Sequence, residues 1–294
     1  MSDTKTKGLT VIVPVYNEQE AIRDTIEHIE KIKESADFDI EIILVNDGST
    51  DGTGEILKGC SRENCRVITH PSNQGYGAAL KTGIKVATFE YIAITDADET
   101  YPNERIPEFF HETLENNLDM LVGARTGDNV KIPFIRRPAK WVLAMLANYL
   151  SNTKIPDINS GLRIMKRDVV EKFLNIIPDG FSFTTTITLA MMTNGYAVKY
   201  IPIDYSARKG KSKIRPIYDT LNFVQLIIRT VLYFDPLKIF VPISAIFFGA
   251  SGVMVLFRLF VGKAFGVTSM ICFVSGIQLL ALGMIADLIH KRLK

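Results

Sequence analysis

The chain has 294 residues, 47% hydrophobic and 22% charged, with 34 basic against 32 acidic side chains for a net charge of +2. That composition excludes disordered, collagen-like and low-complexity chains, and the even charge balance argues against a nucleic-acid partner. Three cysteines cannot build a disulfide framework, and His28, His70, His111 and His290 show no zinc-ligand spacing.

Residues 9–15 are β-branched and almost wholly apolar, which predicts a buried parallel strand. The segment Asn17-Glu18-Gln19-Glu20 then opens a helix with Ile22, Ile26 and Ile29 on one face. A second buried strand at 40–45 runs into the turn-rich loop Asn46-Asp47-Gly48-Ser49-Thr50-Asp51-Gly52, followed by a short helix from about Thr53. Asp47-Gly48-Ser49 reads either as a plain turn or as a place where Asp47 accepts a nucleobase N–H or a ribose hydroxyl. Two more strands, 66–69 and 91–95, flank a helix at 78–87. The glycine-rich loop Asn73-Gln74-Gly75-Tyr76-Gly77 leads into that helix. Leu80 occupies the place of the third small residue of a dinucleotide fingerprint, and the loop follows the third strand, so dinucleotide binding is rejected. Lys81 either faces a phosphate or is a solvated surface lysine.

Further strands are expected at 120–124, 162–165 and 198–205. Repeated β-α-β units predict an α/β fold with a mostly parallel sheet and ligands at the carboxyl ends of its strands. Tyr16-Asn17-Glu18, Asn46-Asp47-Gly48 and Asp96-Ala97-Asp98 all fall there. A surface turn accounts for Asp-x-Asp by itself. After a buried strand, the same pair suits Mg²⁺ or Mn²⁺, hard cations that share carboxylate and phosphate oxygens. Residues 132–150, with a basic start at Arg136 and Arg137, and residues 216–234 read either as core helices or as helices in a headgroup plane.

Residues 239–261 and 264–286 are apolar runs of 23 residues each, long enough to cross about 30 Å of hydrocarbon as helices. Only Gly262 and Lys263 separate them, which predicts a membrane hairpin. Arg208, Lys209, Lys211, Lys213 and Arg215 precede the first run, and His290, Lys291, Arg292 and Lys294 follow the second. The positive-inside bias then places the large N-terminal region and both termini in the cytoplasm, on the inner face of a cytoplasmic membrane, with no signal peptide expected. The expected boundaries are 1–207 for the soluble domain, 208–237 for a basic loop and juxtamembrane helix, and 238–294 for two transmembrane helices.

The motifs Val13-Pro14-Val15-Tyr16-Asn17-Glu18, Val45-Asn46-Asp47-Gly48-Ser49-Thr50-Asp51, Asn73-Gln74-Gly75-Tyr76-Gly77-Ala78-Ala79 and Asp96-Ala97-Asp98 stand in the order and spacing of family-2 glycosyltransferases. The chain resembles that family, which has the GT-A fold, over about residues 9–205. Asp157-Ile158-Asn159-Ser160-Gly161-Leu162-Arg163, the basic loop at 208–213 and the terminal hairpin are similar to polyprenyl-phosphate glycosyltransferases. The resemblance implies that Pro14, Tyr16, Glu18, Asp47, Lys81 and Asp96 bind the nucleotide, and that Asp96 and Asp98 hold Mg²⁺ or Mn²⁺ on the diphosphate. It places Arg125 near the donor or acceptor phosphates, Asp157 and Arg163 on the acceptor side, and Ser212 and Lys213 on a loop closing over the phosphates; Arg136, Arg137 and Arg208 are further candidates for binding the acceptor or its phosphate. Where mannose synthases can add a Gln to the metal, this chain has Thr100 beside Glu99. The implied reaction is inverting transfer of a hexose from a UDP- or GDP-sugar to a polyprenyl phosphate, by an enzyme that forms homo-oligomers such as tetramers. Two other readings stand beside it: a family-2 enzyme acting on a hydroxyl acceptor, and an inactive nucleotide-sugar sensor.

Overall fold

A computed structural model describes residues 8–60, 65–126, 148–149, 155–180, 182–206, 232–233, 235–261 and 266–292. Seven strands form one sheet: β1 (Gly8–Val15), β2 (Asp39–Asn46), β3 (Cys65–Thr69), β4 (Tyr91–Ile94), β5 (Met120–Ala124), β6 (Arg163–Lys166) and β7 (Val198–Pro202). Their spatial order is β3-β2-β1-β4-β6-β5-β7. β1 pairs in parallel with β2 and β4, β2 with β3, and β5 with β7. The sheet is therefore mostly parallel, as the sequence predicts, but β6 runs antiparallel to both of its neighbours, β4 and β5.

The continuous apolar runs are explained by two cores, one on each face. Alternation along β1 sends Leu9, Val11, Val13 and Val15 to one core and Ile12 to the other; β2 divides Ile40, Ile42 and Leu44 from Ile43 and Val45 in the same way. The first core is covered by α1 (Ile22–Ser35) and α4 (Ile106–Glu115), which contribute Ile22, Ile26, Ile29, Phe109 and Phe110. The second is covered by α3 (Tyr76–Val86) and α6 (Phe183–Thr193), through Leu80, Ile84, Phe183 and Ile187. Short helices α2 (Thr53–Lys58) and α5 (Arg167–Glu171) complete the layers.

The reversal of β6 decides where the site can form. The carboxyl ends of the parallel strands β1, β2, β3 and β4 share one edge. Because β6 enters reversed, Arg163 lies opposite Ile94, and the residues preceding it come to the same edge as the end of β4. β5 runs antiparallel to β6 and β7 parallel to β5, so both of their carboxyl ends arrive there too.

Two long helices follow, α7 (Leu237–Phe260) and α8 (Val267–Arg292). Within 237–260 and 267–289, stretches of 18 residues reach mean hydropathies of 2.2 and 2.0, and the helices expose most of their apolar surface; Phe260 is 91% exposed and Val253 68%. This is unlike a buried helix pair in a soluble core. They pack antiparallel: Ser244 Oγ donates to Gly276 O and Ser251 Oγ to Ser269 O, both at 2.8 Å, and Phe240 lies against Gly283. Such short polar contacts at small residues suit helices with no water between them. At the near end, Ile239 joins Ile155 and Leu189 in a small cluster. The segments at 132–147, 150 and 216–231 lie outside the described residues.

Gly83, on α3, faces β1: a Cβ built there would stand 2.5 Å from Ile12 Cγ2. Gly83→Ala is expected to cost about 1–3 kcal/mol through overpacking, despite alanine's better helix propensity, measured as a lower midpoint of denaturant unfolding.

Candidate active site

A cavity of about 220 Å³ opens at this sheet edge, lined by Pro14, Tyr16 and Glu18 after β1, Asp47 after β2, and Asp96 and Asp98 after β4. Tyr76 and Gly180 close its far side. Six residues proposed from sequence for one pocket thus do line one cavity, and Asp96 and Asp98 share it.

Each carboxylate is held by a separate set of donors. Asp47 is 2% exposed. Its Oδ1 accepts from the Gln74 N–H at 2.9 Å and contacts His70 Nδ1 at 2.8 Å, while Oδ2 accepts from the Gly75 N–H at 2.8 Å. The glycine-rich loop therefore spends these amides on the protein's own carboxylate rather than on a phosphate. Gly75 is required twice over, by a φ of +105° and by the approach of Asp179 O, 2.5 Å from where a Cβ would stand.

Asp96 Oδ1 accepts from the Tyr76 hydroxyl at 3.0 Å. Burial, and then the Asp96 charge, push the Tyr76 phenol well up, so it stays protonated and donates. A Cβ on Gly161 would lie 2.9 Å from Asp96 Oδ2, so the missing side chain is what makes room for the carboxylate. Tyr101 fixes that glycine by accepting its N–H at 2.7 Å. Asp98 Oδ1 accepts from the Thr100 hydroxyl at 2.6 Å. Glu99, at a φ of +56°, contacts His28 Nδ1 at 2.9 Å and lines a different cavity. Neither Glu99 nor Thr100 is among the residues that line the cavity shared by Asp96 and Asp98. Among the described residues no group of three or more His, Cys, Asp or Glu is placed around a common ion. Two hard carboxylates on one open cavity fit Mg²⁺ or Mn²⁺, which keep water and phosphate oxygens as their remaining ligands.

Beside the cavity, Arg125 follows β5 and grips Asp157 in a two-pronged pair, Nε to Oδ2 at 2.7 Å and Nη2 to Oδ1 at 3.0 Å. The Arg125 backbone N–H adds a third bond, and the guanidinium lies 5.3 Å from the Tyr205 ring centre. Burial pushes the Asp157 carboxyl up, but the Arg125 contacts and the Asn159 N–H outweigh it and hold the group below its ordinary value of 3.8.

Two expectations are corrected. Arg163 does not face an acceptor: it is fully buried, with Nε donating to Ser160 O at 3.1 Å and Nη1 to Thr184 O at 3.2 Å and Thr188 Oγ1 at 3.1 Å. It starts β6, and alternation turns it beneath the sheet edge. Lys81 lies off the cavity lining and pairs with Asp179 at 2.8 Å, because it sits on another face of α3 from Tyr76 and Ala79. Arg136, Arg137, Arg208, Ser212 and Lys213 lie outside the described residues. Sequence reasoning missed Tyr76, Gly161 and His70 as supports of the carboxylates. Tyr76 was visible inside the glycine-rich motif, whereas nothing in the sequence links His70 to Asp47.

The family description Glycosyl transferase family 2 matches residues 10–174, and a second, GtrB C-terminal hairpin, matches residues 235–291. The chain belongs to glycosyl transferase family 2 and is a glycosyltransferase with the GT-A fold. It is 30% identical over 217 residues to a dolichyl-phosphate hexose transferase of Haloferax volcanii, covering 74% of this chain and 90% of that one. A prophage bactoprenol glucosyl transferase homolog of Escherichia coli K12 is 27% identical over 295 residues, 96% of this chain and 94% of that one. The fold is also that of glucosyl-3-phosphoglycerate synthase from Mycobacterium tuberculosis, solved with Mn²⁺, UDP-glucose and phosphoglyceric acid. It superposes with a TM-score of 0.58 at 18% identity, over 76% of this chain and 80% of that one.

Because the folded Asp157 pKa is depressed, its stabilisation is complete above the unfolded carboxylate value and disappears as pH falls through the folded one. Asp157→Asn is expected to lower unfolding free energy by about 3 kcal/mol at pH 7, with the difference from wild type closing below about pH 4. Gly161→Ala is expected to displace the Asp96 carboxylate and weaken Mn²⁺-supported nucleotide binding about tenfold or more, read by calorimetry, with thermal stability little changed.

Proposed function

We propose that the enzyme transfers a hexose from a nucleoside diphosphate sugar, UDP- or GDP-linked, to the phosphate of a polyprenyl phosphate at a membrane surface. The observation that carries this reading is the convergence of Asp47, Asp96 and Asp98 on one cavity in a chain that also bears an apolar helix hairpin. The relatives named for dolichyl phosphate and bactoprenol substrates support the acceptor class.

In this reading Pro14, Tyr16 and Asp47 receive the nucleoside, and Asp96 and Asp98 hold Mg²⁺ or Mn²⁺. The ion, when bound, neutralises charge on the departing diphosphate. Tyr76 keeps Asp96 turned into the cavity by donating to Oδ1. Arg125 and Asp157 form a rigid positive and negative couple at the acceptor side; their mutual grip fixes the loop leading to Gly161 and thereby the wall behind Asp96.

A phosphate monoester has a second pKa of about 6, so the attacking oxygen is already anionic near neutral pH. No general base is required. The chain's task is instead to bring two anionic groups together at one sugar carbon, by positioning and fixed charge. Direct displacement inverts the anomeric carbon and turns an α-linked donor into a β-linked product. Arg136, Arg137, Arg208, Ser212 and Lys213 supply the basic surface for the lipid phosphate, and the same basic flanks set the soluble domain and both termini on the cytoplasmic side. The boundaries 1–207, 208–237 and 238–294 divide catalysis, surface contact and anchoring.

The test is transfer of radiolabelled sugar from UDP- and GDP-sugars to short-chain polyprenyl phosphate in the presence of Mn²⁺. Wild type is expected to form the lipid-linked product, and Asp98→Asn to lower turnover by about 10²–10³-fold while remaining folded and membrane-bound. Label appearing only on a sugar or diacylglycerol hydroxyl would remove the proposed acceptor.

A further inference from the structure

His70 follows β3 and continues its pairing with β2, its N–H donating to Asn46 O at 2.9 Å. The side chain is buried, 8% exposed, and does not line the cavity. Its two ring nitrogens bridge two elements: Nδ1 stands 2.8 Å from Asp47 Oδ1 and Nε2 2.9 Å from Thr82 Oγ1 on α3. An ionised carboxylate only accepts, so Nδ1 carries the proton; in the neutral ring Nε2 then accepts from the Thr82 hydroxyl. Thr82, His70 and Asp47 thus form one oriented chain of hydrogen bonds running from helix α3 into the wall of the cavity.

The consequence lies in counting acceptor sites on Asp47. A carboxylate offers about four. The His70 and Gln74 N–H groups fill Oδ1, and the Gly75 N–H takes one place on Oδ2. One place remains, and it is on Oδ2. We propose that His70 is a positioning residue for donor recognition: by occupying Oδ1 together with Gln74, it leaves Asp47 a single acceptor directed to a ring N–H of the nucleobase. This rests on the reading of the cavity as a nucleoside diphosphate sugar site and deepens it. Uracil and guanine carry a ring N–H beside a carbonyl; cytosine and adenine present a bare ring nitrogen at the equivalent place, which a carboxylate repels. The His70 chain therefore makes the enzyme selective for bases of the uracil and guanine type, and acts on the base alone, not on the diphosphate.

The full-length protein in detergent is titrated by calorimetry with UDP, GDP, CDP and ADP, each with Mn²⁺, and separately with inorganic pyrophosphate and Mn²⁺. Wild type is expected to bind UDP or GDP in clear preference to CDP and ADP. His70→Ala should cut that preference about tenfold, the scale of one charge-assisted hydrogen bond, and leave pyrophosphate affinity unchanged. His70→Asn, whose Nδ2 stands near the lost Nδ1, should keep most of the preference, and Thr82→Val should lose a smaller part. In turnover assays the His70→Ala defect should be a rise in donor KM larger than any fall in kcat. Should His70→Ala misfold, His70→Asn and Thr82→Val carry the test between them, through retention and partial loss. An unaltered base preference in His70→Ala, or a parallel loss of pyrophosphate binding, overturns the role of His70. Wild type that binds none of the four nucleotides removes the donor-site reading itself.

Discussion

A guanidinium sunk completely in the protein, Arg163, underlies the geometry of the site. Its donors reach Ser160 O on one side and Thr184 O and Thr188 Oγ1 on the other, so it ties the loop before β6 to helix α6. Burial lowers its pKa, and the cost of keeping the charge there is offset only while those neutral acceptors stay in place. The strand it begins is the one that reverses direction in the sheet. That reversal delivers residues 157–161 to the edge where the parallel strands deposit Asp47, Asp96 and Asp98, and Gly161 then forms the wall against which Asp96 lies.

The carboxylates around the cavity are like charges brought together, and among the described residues each is met by local donors. Backbone amides and an imidazole hold Asp47, a tyrosine hydroxyl holds Asp96, and a threonine hydroxyl holds Asp98. Arg125, beside the cavity, is committed to Asp157. Carboxylates held in this way keep oxygens on the cavity that suit a divalent cation and the diphosphate it accompanies.

Much of this was legible in the sequence, because the signals were physical and local. Buried parallel strands leave unbroken β-branched runs such as residues 9–15, and polar clusters directly after them mark a ligand edge. Helix α6 was not anticipated: Thr184, Thr185, Ile187 and Thr188 are β-branched and favour strand locally, yet burial on all sides makes the segment a helix, with Thr188 Oγ1 bonded back to Thr184 O. The antiparallel entry of β6 has no local signature either, since register belongs to the pairing of distant segments. The family resemblance places Arg163 on the acceptor side, and only its burial at the start of a short strand shows that it points inward. The His70 contact to Asp47 spans 23 residues and two strands, a distance over which sequence spacing carries no information.

The joint between the two parts of the chain has a mechanical meaning. Ile239, in the first turn of α7, is seated with Ile155 and Leu189, and the Tyr149 hydroxyl donates to Lys238 O at 3.3 Å. The hairpin therefore leaves the globular body as a keyed stem, not as a loose tether. Side-chain packing at this seat, and not chain connectivity alone, couples the helix pair to the domain that carries the cavity.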